Sequence, residues 1–203
     1  MQQPFENTKL RLDSAEVAVS DIIGALGGRS IALIGLMGAG KSAIGRRLAA
    51  RLELPYADAD VEIEAAAGES VESIFAHHGE AAFRDGERRV IARLLESGPM
   101  VLATGGGAYM NAATRERLRM RAVTIWLRAE LAVLLHRVGR KENRPLLKTG
   151  DPRAVMERLI EERYPIYALA DITIESRDVA HEVIVDEIVA GLMDRKANRV
   201  STL

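Results

Sequence analysis

From Ser30 onward, short runs of consecutive apolar residues alternate with longer segments in which apolar positions recur every three to four residues. Ile31–Ile34 is a continuous β-prone run, the pattern of a strand buried on both faces. Similar runs predict strands at Tyr56–Asp58, Val101–Thr104, Val123–Leu127 and Ile172–Ile174. Helical spacing predicts helices over Ser42–Leu52, Val61–Ala67, Val71–His77, Glu80–Ser97, Ala112–Met120, Glu130–Val138, Arg153–Leu169 and Val179–Arg195. In the first of these Ile44, Leu48 and Leu52 share one face and arginines take the other, while Ser70 and Asn111 carry N-cap side chains at two later starts. Strand–helix alternation of this kind predicts an α/β fold, a parallel five-stranded sheet between helical layers. Ligands then belong beyond the carboxyl ends of the strands.

Residues 1–28 read as an N-terminal extension to a single domain spanning 29–203. Ser14–Leu26 has near-helical spacing and stops at Gly27-Gly28, which suits a short capping helix. A chain of 203 residues has room for one such domain and not for two. Its 28 Lys and Arg against 29 Asp and Glu give no basic excess, which argues against a nucleic-acid partner. Absence of cysteine excludes disulfides and thiolate metal sites. With no signal-like start and no long apolar run, a cytoplasmic protein away from the membrane is expected, and a monomer.

The sharpest motif is Gly35-Leu36-Met37-Gly38-Ala39-Gly40-Lys41-Ser42, a full G-x-x-x-x-G-K-[ST] between an apolar strand and an amphipathic helix. Glycines let successive N–H groups turn inward to phosphate oxygens, and the helix amino end adds positive potential. Lys41 can then reach the β- and γ-phosphates of ATP, and Ser42 offers a hydroxyl to Mg²⁺. Asp58-Ala59-Asp60 follows at the end of the second strand, where residues two apart face the same way. One carboxylate can serve Mg²⁺ and the other an attacking hydroxyl; capping of the following helix by Asp60 is the structural alternative.

Other features are less decisive on spacing alone. Arg84 and Glu87, three apart on a helix, read first as a surface ion pair, and Arg163 has the same default. Should both arginines reach the cleft, they form a fork suited to a carboxylate. Gly105-Gly106-Gly107 after a strand suggests close approach of a ligand to bare backbone, or a tight turn. The polar, basic stretch 139–150, with Arg144, is either a mobile lid over the phosphates or a solvated loop. Adjacent His77 and His78 point in different directions on a helix and make a poor metal site.

Taken in order, Gly35–Ser42, Asp58–Glu64, Phe83-Arg84 with Glu87, Gly105–Gly107, Arg144–Leu147 and Arg163–Tyr167 resemble the shikimate kinase family, a small branch of the nucleoside-monophosphate-kinase-like P-loop proteins. The resemblance runs from about Ser30 to Arg195. It implies transfer of the ATP γ-phosphoryl to the 3-hydroxyl of shikimate, with a mobile lid. By this likeness Asp60 is the base and touches the substrate hydroxyls, and Ser42 and Asp58 serve Mg²⁺. Arg84 and Arg163 clamp the shikimate carboxylate, and Glu87 and Gly105–Gly107 line its site. Gly38, Ala39, Gly40, Lys41, Ser42, Ala43 and Arg144 hold the phosphates, with Lys41 and Arg144 acting in catalysis, and Arg137 lies beside the adenine. Ala103 stands where many relatives carry serine, and Arg177 is the nearest match to a basic residue that the family places after the last strand. The alternatives are a P-loop kinase of another polyol acid, such as gluconate, and a silent nucleotide-binding module on the same fold.

Overall fold

Ser30–Ile34 forms β1, and every one of its five residues is buried. It is flanked on both sides: Ile31 registers with Val101 of β3 (Val101–Ala103) and with Val123 of β4 (Ala122–Arg128). With β2 (Tyr56–Asp58) and β5 (Ile172–Glu175) at the edges, the sheet order is β2-β3-β1-β4-β5 and every pairing is parallel. The computed structural model describes residues 19–139 and 151–200. Arg144 and all of the predicted lid 139–150 except Gly139 lie outside the described residues, as does the start of the helix expected at Ser14.

The direction of the crossovers assigns the layers. From β1 the chain moves left to β2 through α2 (Lys41–Arg51), then rightward to β3, β4 and β5. Right-handed crossovers therefore put α2 on one face of the sheet. On the other lie α3 (Ala59–Ala67), α4 (Val71–Glu96), α5 (Ala112–Arg121), α6 (Leu131–Val138) and α7 (Pro152–Tyr167). The closing helix α8 (His181–Val200) packs on α2, and so joins its layer. This is the three-layer sandwich expected. Strand order reverses between β1 and β3, so a crevice opens beyond their carboxyl ends. The glycine-rich loop leaves β1 at this point and the glycine triplet leaves β3.

Local boundaries follow from caps. Asp58 Oδ1 accepts the Asp60 N–H at 3.2 Å, which starts α3 at Ala59, two residues before the predicted Val61. Asp60 is therefore in the first helical turn and not the cap. Ser70 and Asn111 cap α4 and α5 as expected, each accepting an N–H at 3.1 Å. Asp151 caps α7, with Pro152 at its first position, where the missing N–H costs nothing. The two helices expected across 71–97 are joined through Gly79, whose φ of 78° and ψ of 172° break the helical run. Phe75 and Phe83, one from each half, stack at 4.6 Å and fix the bend. Residues 19–26 form a helix, α1, whose Ile22 and Leu26 are 1% and 3% exposed and belong to the same core as β1. Burial of each is worth roughly 1.5–3 kcal/mol.

Candidate active site

The loop after β1 is shaped for anions. Gly35 sits at φ 141°, and a Cβ there would meet the Leu127 carbonyl oxygen at 2.7 Å. Gly40, at φ 92°, caps α2 with no side-chain hydrogen bond, and the first turn of α2 holds no acid. Its opening N–H groups and the dipole behind them are thus available to a phosphate. Lys41 Nζ folds across the loop mouth, donating to the carbonyls of Gly35 at 2.8 Å and Leu36 at 3.0 Å.

Two residues outside the motif brace this loop. Buried Ser176, just after β5, donates to the Ala39 carbonyl at 2.8 Å and accepts from Arg137 Nη1 at 2.8 Å. Arg137 of α6 also donates to the carbonyls of Gly38 at 3.3 Å and Arg177 at 2.6 Å. The Arg177 side chain itself is taken up by Glu187. Ser176→Ala would strand the Ala39 carbonyl and one Arg137 N–H. We expect a loss of about 1–3 kcal/mol in unfolding free energy, read by urea unfolding followed on Trp126, the single tryptophan.

The acids are linked differently from the strand geometry expected. Asp58 Oδ2 accepts from Ser42 Oγ at 2.7 Å and from the Tyr56 hydroxyl at 3.1 Å. Burial, then the Asp58 charge, pushes the Tyr56 hydroxyl up to about 12, so it stays a donor. Because Asp60 is helical, the two carboxylates come together through the cap and not through strand alternation. Asp60 is exposed as a residue, yet surrounding protein desolvates its carboxyl, and with the Asp58 charge this raises its pKa above the usual range. Lys41 and Arg84 act in the opposite sense, which locates Asp60 between the phosphate loop and the arginine.

The triplet gathers the remaining candidates. A Cβ on Gly105 would lie 2.3 Å from Glu87 Oε1 and 3.0 Å from Asp60 Oδ1. On Gly107 it would lie 2.5 Å from both terminal nitrogens of Arg84. Arg163 Nη1 donates to the Gly106 carbonyl at 2.8 Å, and the Tyr167 hydroxyl donates to the same oxygen. The Arg84–Glu87 pair, 2.8 Å apart, is not the surface pair its spacing suggests, because Glu87 is 3% exposed. It is sunk under the triplet, and burial raises its pKa against the pull of Arg84. Its Oε1 is buried with no hydrogen-bond partner. His77 and His78 both turn to Glu69, on the surface.

Comparison with known proteins identifies the family. The family model described as shikimate kinase matches residues 37–193. A shikimate kinase of Rhodopseudomonas palustris is 61% identical over 175 residues, covering 86% of each chain. The chain belongs to the shikimate kinase family. As a member of the shikimate kinase family it is an ATP-dependent kinase. The solved shikimate kinase from Acinetobacter baumannii, in complex with shikimate, superposes with a TM-score of 0.80 at 37% identity, over 83% of this chain and 94% of that one. A gluconokinase from Sinorhizobium meliloti gives 0.58 at 18% identity, over 86% and 97%, and shares the fold alone. Sequence reasoning gives no site role to Tyr56, Tyr167 or Ser176. Tyr56, two residues before Asp58 on one strand, and Tyr167, four residues after Arg163 on one helix, each carry a spacing signal; Ser176 carries none.

Proposed function

We propose that this chain transfers the γ-phosphoryl of ATP to the 3-hydroxyl of shikimate, a step toward aromatic amino acids. One observation carries the proposal: Asp60, Arg84 and Arg163 meet on the three consecutive glycines 105–107, whose middle member lies against the phosphate loop. Acceptor and donor sites therefore share one seam. Gly38 to Ala43 and Lys41 cradle the phosphates, with Arg137 at the nucleotide's outer edge. Arg84 and Arg163 present planar forks to the acceptor carboxylate while Glu87 holds Arg84 in place. Asp60 accepts the proton from the attacking hydroxyl. Arg144, outside the described residues, is the proposed cation over the transferring group.

Ser42 Oγ and Asp58 Oδ2, 2.7 Å apart, are hard oxygen donors, and so fit Mg²⁺ held mainly by phosphate and water. When bound, that ion neutralises charge on the β- and γ-oxygens. Tyr56 and the Asp60 N–H hold the Asp58 carboxylate in the required orientation. No described helix is long and apolar enough to cross a membrane. Near-neutral charge, with no basic excess, favours a small-molecule substrate over a nucleic acid.

ADP release from Mg-ATP, measured with shikimate, gluconate, quinate or no acceptor, tests this. Release with shikimate alone is expected; release with gluconate and not shikimate would overturn the assignment. Arg84→Ala should raise the acceptor KM by about 10- to 100-fold, the worth of a charge-assisted hydrogen bond, with the KM for ATP unchanged. A shift in nucleotide affinity alone would show that Arg84 serves the other site.

A further inference from the structure

Arg163 and Tyr167 stand four residues apart on α7, so their side chains share a face. Both donate to one acceptor, the Gly106 carbonyl. A carbonyl oxygen has two lone pairs, and these two donors fill it. The oxygen belongs to the residue at the seam of the sites: a Cβ on Gly106 would lie 3.6 Å from both the Gly35 carbonyl oxygen and the Met37 nitrogen.

The donors are not equivalent. Tyr167 is 0% exposed, and its ring sits among Tyr109, Trp126 and Tyr164 with centroids at 6.4, 6.0 and 6.3 Å. Burial leaves it little room to turn, and its hydroxyl also meets the Arg163 side chain. Arg163 is partly open to solvent, with further N–H donors on a flexible stem. An anion entering the cleft can draw Arg163 off the carbonyl, whereas Tyr167 stays.

We propose that Tyr167 is a positioning residue: it keeps the Gly106 carbonyl satisfied when Arg163 turns to the acceptor's carboxylate, and so frees the arginine for substrate. This rests on Arg163 as a carboxylate ligand, as read above. Without the hydroxyl, Arg163 would be the last protein donor on that carbonyl. Turning to substrate would then leave a half-buried acceptor without a protein donor, so substrate would compete with the carbonyl for the arginine. Tyr164 hydrogen-bonds elsewhere, to the Ala129 carbonyl, and serves as the control on the same helix.

The test is steady-state kinetics on Tyr167→Phe in the full chain. Expected is an acceptor KM about tenfold higher, with kcat and the KM for ATP within about twofold, and no change in Tyr164→Phe. In an Arg163→Ala background the added Phe should have no further effect on acceptor KM; an equal loss in both backgrounds would mean a merely structural role and overturn the proposal. In the unaltered protein, NMR of labelled tyrosine should show the Tyr167 hydroxyl proton still protected from exchange after shikimate is added. Its loss on binding would also overturn the proposal, even if Tyr167→Phe failed to fold. Wild-type protein without shikimate-dependent ADP release would sink the functional reading itself, whereas normal wild-type turnover with an unchanged KM in Tyr167→Phe sinks only this inference.

Discussion

Asp60→Asn is expected to lower kcat by about 10²- to 10⁴-fold, the usual worth of a positioned general base, while ATP binding stays near the parent value. Asparagine keeps the shape and the hydrogen-bonding oxygen but cannot take a proton. Asp60 lies where charge from both sites reaches it, with Lys41 and Arg84 lowering its pKa and burial and Asp58 raising it, and the net direction is upward. The acid limb of kcat/KM in the parent should therefore fall above the ordinary aspartate range and vanish in the variant. An Asp60→Asn enzyme with near-parental turnover would remove Asp60 from the chemistry.

Stability should move the other way. A carboxyl whose native pKa exceeds its unfolded one binds more protons when folded, so its contribution is full below the unfolded pKa and falls as pH rises through the folded one. At neutral pH the parent carries this deficit and Asp60→Asn does not. Its thermal midpoint near pH 7 should match or exceed that of the parent, and the difference should close in acid. Because Asp60 opens onto solvent, the gain is small. A clear fall in midpoint would mean that Asp60 is a structural anchor.

How far the sequence can be read depends on the range of each interaction. β1, α2 and the loop between them obey local rules of strand pattern, turn glycines and helix start, and they lie where those rules put them. Caps at Ser70 and Asn111 are equally local. The Arg84–Glu87 pair misleads for the opposite reason: three-residue spacing says that two side chains meet, and nothing about what lies on top of them. Only the fold brings Gly105–Gly107 over that pair and turns a surface contact into a buried one. Strand alternation pairs Asp58 with Asp60 on the wrong geometric ground, since a capping bond joins them. Ser176 reaches the phosphate loop across 137 residues of chain, so no local spacing could reveal it.

Gly105→Ala should cost turnover with shikimate about 100-fold, the scale of a displacement of about 1 Å at reacting groups, and leave ATP binding intact. The new methyl group would stand 2.3 Å from Glu87 Oε1 and 3.0 Å from Asp60 Oδ1, so at least one carboxylate must give way. Glu87 has little freedom to do so, being 3% exposed and tied to Arg84 at 2.8 Å. Moving it moves the arginine, and with it the fork offered to the acceptor carboxylate; moving Asp60 instead displaces the base. Either response falls first on the acceptor side, because the atoms nearest the new methyl group belong to Glu87 and Asp60, whereas those nearest a Cβ on Gly106 belong to the phosphate loop and Arg163. Nucleotide titration and shikimate kinetics on the same protein separate the two sides. Parallel loss of both affinities would mean that the triplet holds the phosphate loop in shape, and a fully active variant would show that Glu87 and Asp60 can part without consequence.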